Sequence, residues 1–162
     1  MMVGRTITEE FPKETFNPEN EVLRVEQLTR GFVKDVSFYV KQKEIVALTG
    51  LVGAGRTELA RMAFGADQPE SGTLYFEGQP IQIRSPRHAI DQGICLLTED
   101  RKNHGLILGM RIRENITLPK LSDFCRFLFV QSGKEKLAAD QSMEDLKIKA
   151  PTAETEVRNL SG

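Results

Sequence analysis

The sequence contains no tryptophan, only two cysteines and no long apolar run. Cys95 and Cys125 lack the number and spacing of a disulfide framework or a structural zinc site, so we expect two separate reduced thiols. The most apolar segment, 124–130, is interrupted by Arg126 and is far shorter than the roughly 20 residues that cross a bilayer. Acidic residues within 1–16 argue against a secretory or mitochondrial leader. These absences favour a cytosolic globular protein.

An excess of one charge is also absent, because 22 Lys and Arg residues balance 23 Asp and Glu residues. No strong net field therefore draws the chain to nucleic acid or to an acidic membrane, and charge indicates no partner. The chain has 162 residues, of which 40% are hydrophobic. That length and composition are typical of one domain, or a large part of one, with a sizeable core.

Prolines and asparagines among mixed charges predict that residues 1–20 form an extended linker. The fold is expected to start near Glu21 with two antiparallel strands, the second of which alternates apolar and polar residues over 36–40. Residues 44–49 then form a short apolar run that meets glycines at once, as a buried parallel strand does. A helix is predicted over 57–64. The order of strand, glycine loop and helix indicates an α/β fold.

The helix after the glycine loop places Leu59 and Met62 on one face, and Gly65 is suited to close it. Ser85 followed by Pro86 predicts another helix start, with an N-cap before proline at the first helical position. The remaining predicted elements are a hairpin of 72–76 and 81–83, a helix from 86 to about 92, a buried strand at 94–97, and helices at 113–118 and 134–146.

The glycine loop consists of Gly50, Leu51, Val52, Gly53, Ala54, Gly55, Arg56, Thr57 and Glu58. Four residues between two glycines, followed by a basic residue and a hydroxyl, fit the phosphate-binding loop. Glycines let consecutive backbone N–H groups turn toward phosphate oxygens, and the following helix directs its positive end at the same anion. The loop therefore predicts a nucleotide phosphate site in which Thr57 holds Mg²⁺.

Arg56 stands where this motif normally has lysine. A planar guanidinium with five donors does not fill the slot of a compact ammonium that reaches the β and γ phosphates. The substitution is compatible with retained phosphate binding and impaired hydrolysis. The alternative is a glycine-rich turn without a ligand, since such strand-to-helix turns are common.

Residues 50–58 resemble the altered Walker A motif of the second ATPase domain in fused sugar-import ABC proteins of the ribose type, in which arginine commonly replaces lysine. Residues 2–5 resemble the linker between the two fused domains, and 84–87 resemble the segment before the next strand. The resemblance covers nearly the whole chain.

The resemblance implies a P-loop NTPase fold of the ABC type, with a parallel core sheet, an antiparallel β subdomain and the start of a helical subdomain, and incomplete at its end. It implies a linker at 1–20, a nucleotide-binding α/β core with the β subdomain at 21–105, and the helical subdomain at 106–162. ATP and Mg²⁺ are the implied cofactors.

Glu99 takes the position of the family's Q-loop glutamine, within a Thr-Glu-Asp-Arg-Lys segment at 98–102. The resemblance implies that Glu99 couples the nucleotide site to the membrane subunit and lies near the Mg²⁺ held by Thr57. A carboxylate only accepts hydrogen bonds unless it is protonated, whereas an amide also donates. A solvated charge cluster is the alternative.

Leu160, Ser161 and Gly162 resemble the opening of the ABC signature, which in this family completes a nucleotide site on the opposite domain. An ordinary loop is the alternative. Phe32 is the candidate for the aromatic residue that stacks on adenine, although we expect packing to be its main role.

Two apolar sets follow the Q-loop position. Leu106, Leu108 and Ile112 are candidates for the groove that receives a helix of the membrane subunit, or equally for core of the helical subdomain. Phe124 and the run 127–129 raise the same question, and for these we expect core packing.

The resemblance implies coupling of ATP binding and hydrolysis to import of a ribose-like sugar, at the cytoplasmic face of the membrane as a peripheral protein. The implied partners are the first ATPase domain of the same parent chain, the permease subunits and, indirectly, a sugar-binding protein. The Walker B residues and switch histidine of the family would follow Gly162, so we expect this chain alone not to hydrolyse ATP. The alternative is a degenerate, non-hydrolytic nucleotide-binding or structural module that supports the dimer.

Overall fold

The computed structural model describes residues 20–160, which divide into two compact units. The first unit contains the described residues up to Leu59 together with Gln68–Gln82, and the second contains Ala60–Asp67 and the residues from Ile83 onward. The predicted linker lies outside the described residues except for Asn20. Ser161 and Gly162 lie outside them as well.

The first unit is built on a four-stranded antiparallel sheet. Its strands lie in the order β2-β1-β3-β4 and are β1 (Glu21–Arg30), β2 (Val33–Lys41), β3 (Ser71–Phe76) and β4 (Gln79–Ile81). Val25 of β1 pairs with Phe38 and Leu74, so apolar side chains share one face. Arg24 pairs with Tyr39 and Tyr75 on the opposite face. The predicted early antiparallel pair is confirmed, whereas the predicted start of the fold near Glu21 stays a prediction because residues 1–19 lie outside the described part of the chain.

The β3–β4 hairpin is present, but its second strand begins two residues earlier than predicted. Phe76 pairs with Gln79, which leaves Glu77 and Gly78 as a two-residue turn, with φ of 50° and 76°. Two positive φ values in succession suit a tight hairpin turn, and that turn sets the register. Pro80 lies on the edge strand, where a missing N–H is tolerated.

Helix α1 (Arg56–Ala63) follows the glycine loop, as predicted. Leu59 and Met62 on its apolar face are 5% and 0% exposed. Gly65 closes the helix with φ +74°, a conformation in which glycine carries no steric cost. The predicted helix, its buried face and its glycine terminator are therefore confirmed.

The second unit is mainly helical. It contains α2 (Pro86–Asp91), a π-helical turn (Arg101–Gly105), α3 (Ile112–Thr117), a kinked 3-10 segment (Leu118–Phe124), the short hairpin β5 (Cys125–Arg126) and β6 (Phe129–Val130), α4 (Ser132–Asp145) and a 3-10 turn (Val157–Asn159). Ser85 Oγ accepts from His88 N at 3.2 Å and caps α2, as predicted. Ile112, Ala139, Ala153 and Val157 are buried in this unit.

The two predicted parallel strands do not form among residues 20–160. Segments 44–49 and 94–97 join neither sheet, and Ile45 and Leu97 are 95% and 96% exposed. A short apolar run becomes a strand only when a neighbouring strand satisfies its backbone groups, and neither segment has such a neighbour in its own unit. The predicted buried strands are therefore wrong for the described residues.

The apolar tip of the β5–β6 hairpin also departs from expectation. Phe127, Leu128 and Phe129 are 91%, 94% and 79% exposed, so the predicted core packing is wrong for these three. Phe127 occupies the turn with φ +55°. Only Phe124 of this group is partly buried, and Lys134 Nζ lies 5.9 Å from its ring centroid. Hydrophobic composition indicated burial here, whereas these residues form the tip of a two-stranded hairpin and are exposed.

Candidate functional site

The glycine loop leads directly into the first turn of α1. Ala54 N donates to Leu51 O at 3.0 Å, and Leu59 N donates to Gly55 O at 2.9 Å as the first bond of the helix. The first amides of a helix have no partner within it, so those of Arg56 and Thr57 are oriented toward the loop side of α1. The backbone thus offers donors at the place where the motif predicts phosphate.

Two glycines give the loop its shape. Gly53 and Gly55 have φ of +82° and +89°, a region that side chains with Cβ rarely adopt. Gly55 is also buried, and a Cβ there would lie 2.5 Å from Val33 Cγ2 and 3.1 Å from Phe32 Cε2. Because both the conformation and the space exclude a side chain, only glycine fits at position 55.

Phe32 lies in the turn between β1 and β2, beside the last glycine of the loop. Glu70 fixes this turn, since its Oε1 accepts from Gly31 N at 3.0 Å and its own N donates to Thr29 O at 2.8 Å. Phe32 nevertheless remains 64% exposed. The ring edge therefore packs on Gly55 while most of its surface is open, and adenine stacking stays a prediction.

The charged and hydroxyl residues of the loop are accessible. Arg56 and Thr57 are both exposed, and Arg56 Cδ lies 4.0 Å from the place that a Cβ on Gly50 would occupy. The arginine stem therefore folds back beside the start of the loop. A Cβ on Gly50 would also meet Ala54 Cβ at 2.9 Å, so the loop is tightly closed. The structure brings one cation, one hydroxyl and several backbone donors together.

Glu99 and Leu160 belong to the second unit, and their relation to the loop stays a prediction. Glu99 is exposed, and the residue after it has a role that the sequence reading missed. Asp100 accepts from Asn103 N at 3.1 Å and from Asn103 Nδ2 at 2.7 Å, which caps the π-helical turn. The side-chain hydrogen bond of Asn103, with a smaller effect of its backbone N–H, lowers the pKa of Asp100 below its ordinary 3.8. The sequence signal for this cap is an aspartate followed three residues later by an asparagine.

The three candidate groove residues separate in the structure. Ile112 is 4% exposed and belongs to the core of the second unit, whereas Leu106 and Leu108 are each 38% exposed. Core packing is therefore the role of Ile112, while the other two remain accessible for a partner. Among residues 20–160, no helix has the length and apolarity needed to cross a membrane.

Comparison with known proteins places these features in a family. The model of the family described as "ABC transporter" matches residues 33–162. The ribose import ATP-binding protein RbsA of Geobacillus kaustophilus is 46% identical over all of this chain and 33% of its own length. The corresponding protein of Bacillus subtilis is 41% identical over 99% of this chain and 33% of its own length. The chain spans about a third of the length of these curated relatives.

Solved structures show the same fold. A nucleotide-free ATP-binding cassette from an ABC transporter superposes with a TM-score of 0.65 at 21% identity, over 87% of this chain and 59% of that chain. The ADP conformation of another such cassette gives 0.60 at 23% identity, over 88% and 59%. This chain thus covers about three-fifths of each cassette. The predicted ABC nucleotide-binding fold is confirmed, and the chain belongs to the ABC transporter family.

Proposed function

We propose that this chain is part of the second, C-terminal ATP-binding domain of a bacterial sugar importer of the ribose type, which couples ATP binding and hydrolysis to sugar import. Relatives named ribose import ATP-binding proteins, at 46% and 43% identity, support the substrate class. Arg56 in place of lysine and Glu99 in place of glutamine support the second domain, because both resemble that domain in fused importers. The names of the relatives favour this function over a degenerate structural module.

The geometry of the glycine loop carries the proposal. Gly55 has no room for a side chain and holds the loop against the β1–β2 turn, so the backbone donors before α1 keep a fixed arrangement. A fixed set of N–H groups at a helix start, together with the exposed guanidinium of Arg56, fits a polyphosphate anion. This arrangement supports the proposal that the loop binds a nucleoside triphosphate.

Mg²⁺ would be held by Thr57, with Glu99 in its vicinity, and would neutralise charge on the phosphates. Arg56 then supplies a bidentate donor to phosphate oxygens, where lysine would supply a point charge. The 64% exposure of Phe32 at the edge of the loop supports the proposal that its ring contacts a base. Leu160, Ser161 and Gly162 would serve the nucleotide site of the opposite ATPase domain.

The proposed setting is the cytoplasmic face of the membrane, where the chain is a peripheral component of a transporter. Its partners are the first ATPase domain and the permease subunits, with a sugar-binding protein acting from the other side. Leu106 and Leu108 are the accessible apolar residues of the proposed contact with a permease. We propose that the chain divides functionally into a nucleotide-binding core at 21–105 and a helical subdomain at 106–162.

A calorimetric titration of the chain with Mg-ATP tests this function, with ribose as the control ligand. We expect binding of ATP and none of ribose. Arg56→Ala should weaken ATP binding by roughly tenfold, because a charge-assisted hydrogen bond to phosphate is lost. Arg56→Lys should retain most of the affinity, because the positive charge remains.

Arg87→Ala is the matched control, since this exposed arginine pairs with Asp91 on α2 and not with the loop. It should leave ATP affinity unchanged. If a folded chain binds no ATP, or binds it equally well without Arg56, the assignment of the loop as the phosphate site is refuted.

A further inference from the structure

Two segments of the second unit that are distant in sequence run antiparallel to each other. Segment 108–113 follows the Q-loop position, and segment 153–158 precedes Leu160. Four backbone hydrogen bonds join them: Ile112 N to Thr155 O at 3.0 Å, Arg113 N to Ala153 O at 2.9 Å, Val157 N to Met110 O at 3.0 Å and Arg158 N to Leu108 O at 3.0 Å. A bridge between Arg111 and Glu156 completes the pairing. We name this paired structure the 108–158 clamp.

Ion pairs reinforce the clamp from α3. Arg111 Nη1 lies 2.7 Å from Glu154 Oε2, and both side chains are largely open to solvent. Arg113 Nε lies 3.4 Å from Glu154 Oε1 and 3.6 Å from Glu135 Oε2. The side chain of Arg113 is only 13% exposed and that of Glu135 only 7%. Because Arg113 and Glu135 are poorly hydrated, they attract each other more strongly than the exposed pair Arg111–Glu154 does.

Arg113 is held by its surroundings as well as by charge. Its Nε is buried and makes no direct hydrogen bond, so the two carboxylates act on it at ion-pair distance. Glu135 is in turn fixed by Thr117, whose Oγ1 lies 2.7 Å from Glu135 Oε1. One guanidinium thereby links α3, α4 and the segment that carries Glu154. Removal of this charge leaves the buried carboxylate of Glu135 without its cationic partner, whereas Glu154 keeps its pair with Arg111.

The start of the clamp is tied to α3 by one amide side chain. Asn115 Oδ1 accepts from Ile107 N at 2.8 Å, and its Nδ2 lies 3.1 Å from Ile107 O and 3.0 Å from Arg111 O. These three contacts tie the segment beside Leu108 to α3. The clamp pairs that segment with 153–158, which ends two residues before Leu160.

We infer that Arg113 is a positioning residue that makes the segment preceding Leu160–Gly162 follow movements of the segment after the Q-loop position. The inference rests on the proposed function for its biological meaning: contact with a permease near Leu108 would set the position of the signature opening. The clamp itself is a property of this chain and is testable without nucleotide.

Amide hydrogen exchange of the whole chain tests the clamp. Arg113→Gln should accelerate exchange of the Val157 and Arg158 amides by about tenfold, because the Arg113–Glu154 pair that ties their segment to α3 is lost and Glu135 is left buried without a cationic partner. The Ala89 amide within α2, which donates to Ser85 O in the same unit, should change much less. Arg113→Lys should restore most of the protection, since charge at this position is retained.

Arg111→Gln is the matched control, because it removes another arginine from the same Glu154 at an exposed site. It should change exchange at Val157 by no more than about twofold. An equal acceleration at Ala89 and Val157 in Arg113→Gln would indicate general destabilisation and overturn the inference, as would no acceleration at all. If Arg113→Gln does not fold, Glu154→Gln should give the same local acceleration at Val157 and Arg158, and its absence overturns the inference.

In the assembled transporter, Arg113→Gln should lower kcat for ATP hydrolysis severalfold while leaving KM unchanged, since the nucleotide loop is intact. An unchanged kcat in a transporter whose unsubstituted form is active would refute the positioning role. A failure of the proposed function would instead appear as absent ATP binding by the unsubstituted chain, with the exchange results unaffected.

Discussion

Substitution of Gly55 by alanine isolates the structural requirement of the phosphate loop. The backbone at Gly55 has φ +89°, and an added Cβ would lie 2.5 Å from Val33 Cγ2. A left-handed backbone costs an L-residue roughly 1–2 kcal/mol, and insertion into a packed site typically adds about 1–3 kcal/mol. Reduced entropy of the unfolded chain returns about 0.4–1 kcal/mol. We therefore expect the free energy of unfolding to fall by about 2–4 kcal/mol.

Gly53→Ala provides the matched comparison, because Gly53 has a similar φ of +82° with no atom within 4 Å of an added Cβ. It should cost only the backbone contribution, about 1 kcal/mol after the gain in the unfolded state. Urea unfolding followed by circular dichroism measures both variants. At about 2–4 °C per kcal/mol, Gly55→Ala should lower Tm by roughly 5–15 °C.

The difference in free energy of unfolding between Gly55→Ala and Gly53→Ala tests whether lack of space excludes a side chain at position 55. If Gly55→Ala and Gly53→Ala differ by less than about 0.5 kcal/mol, the contact of the loop with Val33 and Phe32 does not constrain it. The explanation of Gly55 by lack of space would then be refuted, although its positive φ would still require glycine. Mg-ATP titration of Gly55→Ala under conditions where it is folded should show weakened binding, because the loop must move away from the turn.

Two more substitutions test local features of the second unit. The carboxylate of Asp100 has a pKa below 3.8, so its cap on the π-helical turn is complete above that pH and is lost as pH falls through the lowered pKa. Asn103→Ala should raise the pKa of Asp100 toward 3.8 in a carbon-detected NMR titration. An unchanged pKa would contradict the assigned cause. Phe127→Asn should leave the free energy of unfolding unchanged or raise it by up to about 1 kcal/mol, because asparagine tolerates φ +55° and the ring it replaces is 91% exposed. A loss of more than about 1 kcal/mol in urea unfolding would show that the ring packs on the protein.

The sequence predicted those elements whose geometry is set by residues close to one another along the chain. The Ser85 cap, the Gly65 terminator and the strand alternation over 36–40 each specify backbone geometry within a few residues, and the structure has all three. The segments 44–49 and 94–97 could not be predicted in this way. A parallel strand depends on neighbours contributed by distant chain, and composition alone does not reveal whether those neighbours are present.

The same distinction applies to the site. The spacing of the glycine loop identified Gly50–Thr57, but it gave no sign that Gly55 packs against the β1–β2 turn, because that contact joins residues brought together by the sheet. Arg113 was read only as a helix residue. Its pairing with Glu135 and Glu154 depends on the approach of α4 and of the segment before Val157, which periodicity does not report.

The central position of β1 in the antiparallel sheet also predicts an order in which the strands pair during folding. β1 and β2 are joined by a short turn, so they can pair within about 1–10 microseconds. β3 can pair with the other edge of β1 only after the intervening residues 42–70, which carry the phosphate loop, have closed into a loop. The entropy cost of loop closure therefore falls on the β1–β3 contact, and we expect substitutions in β3 to slow folding of the first unit more than substitutions in β2.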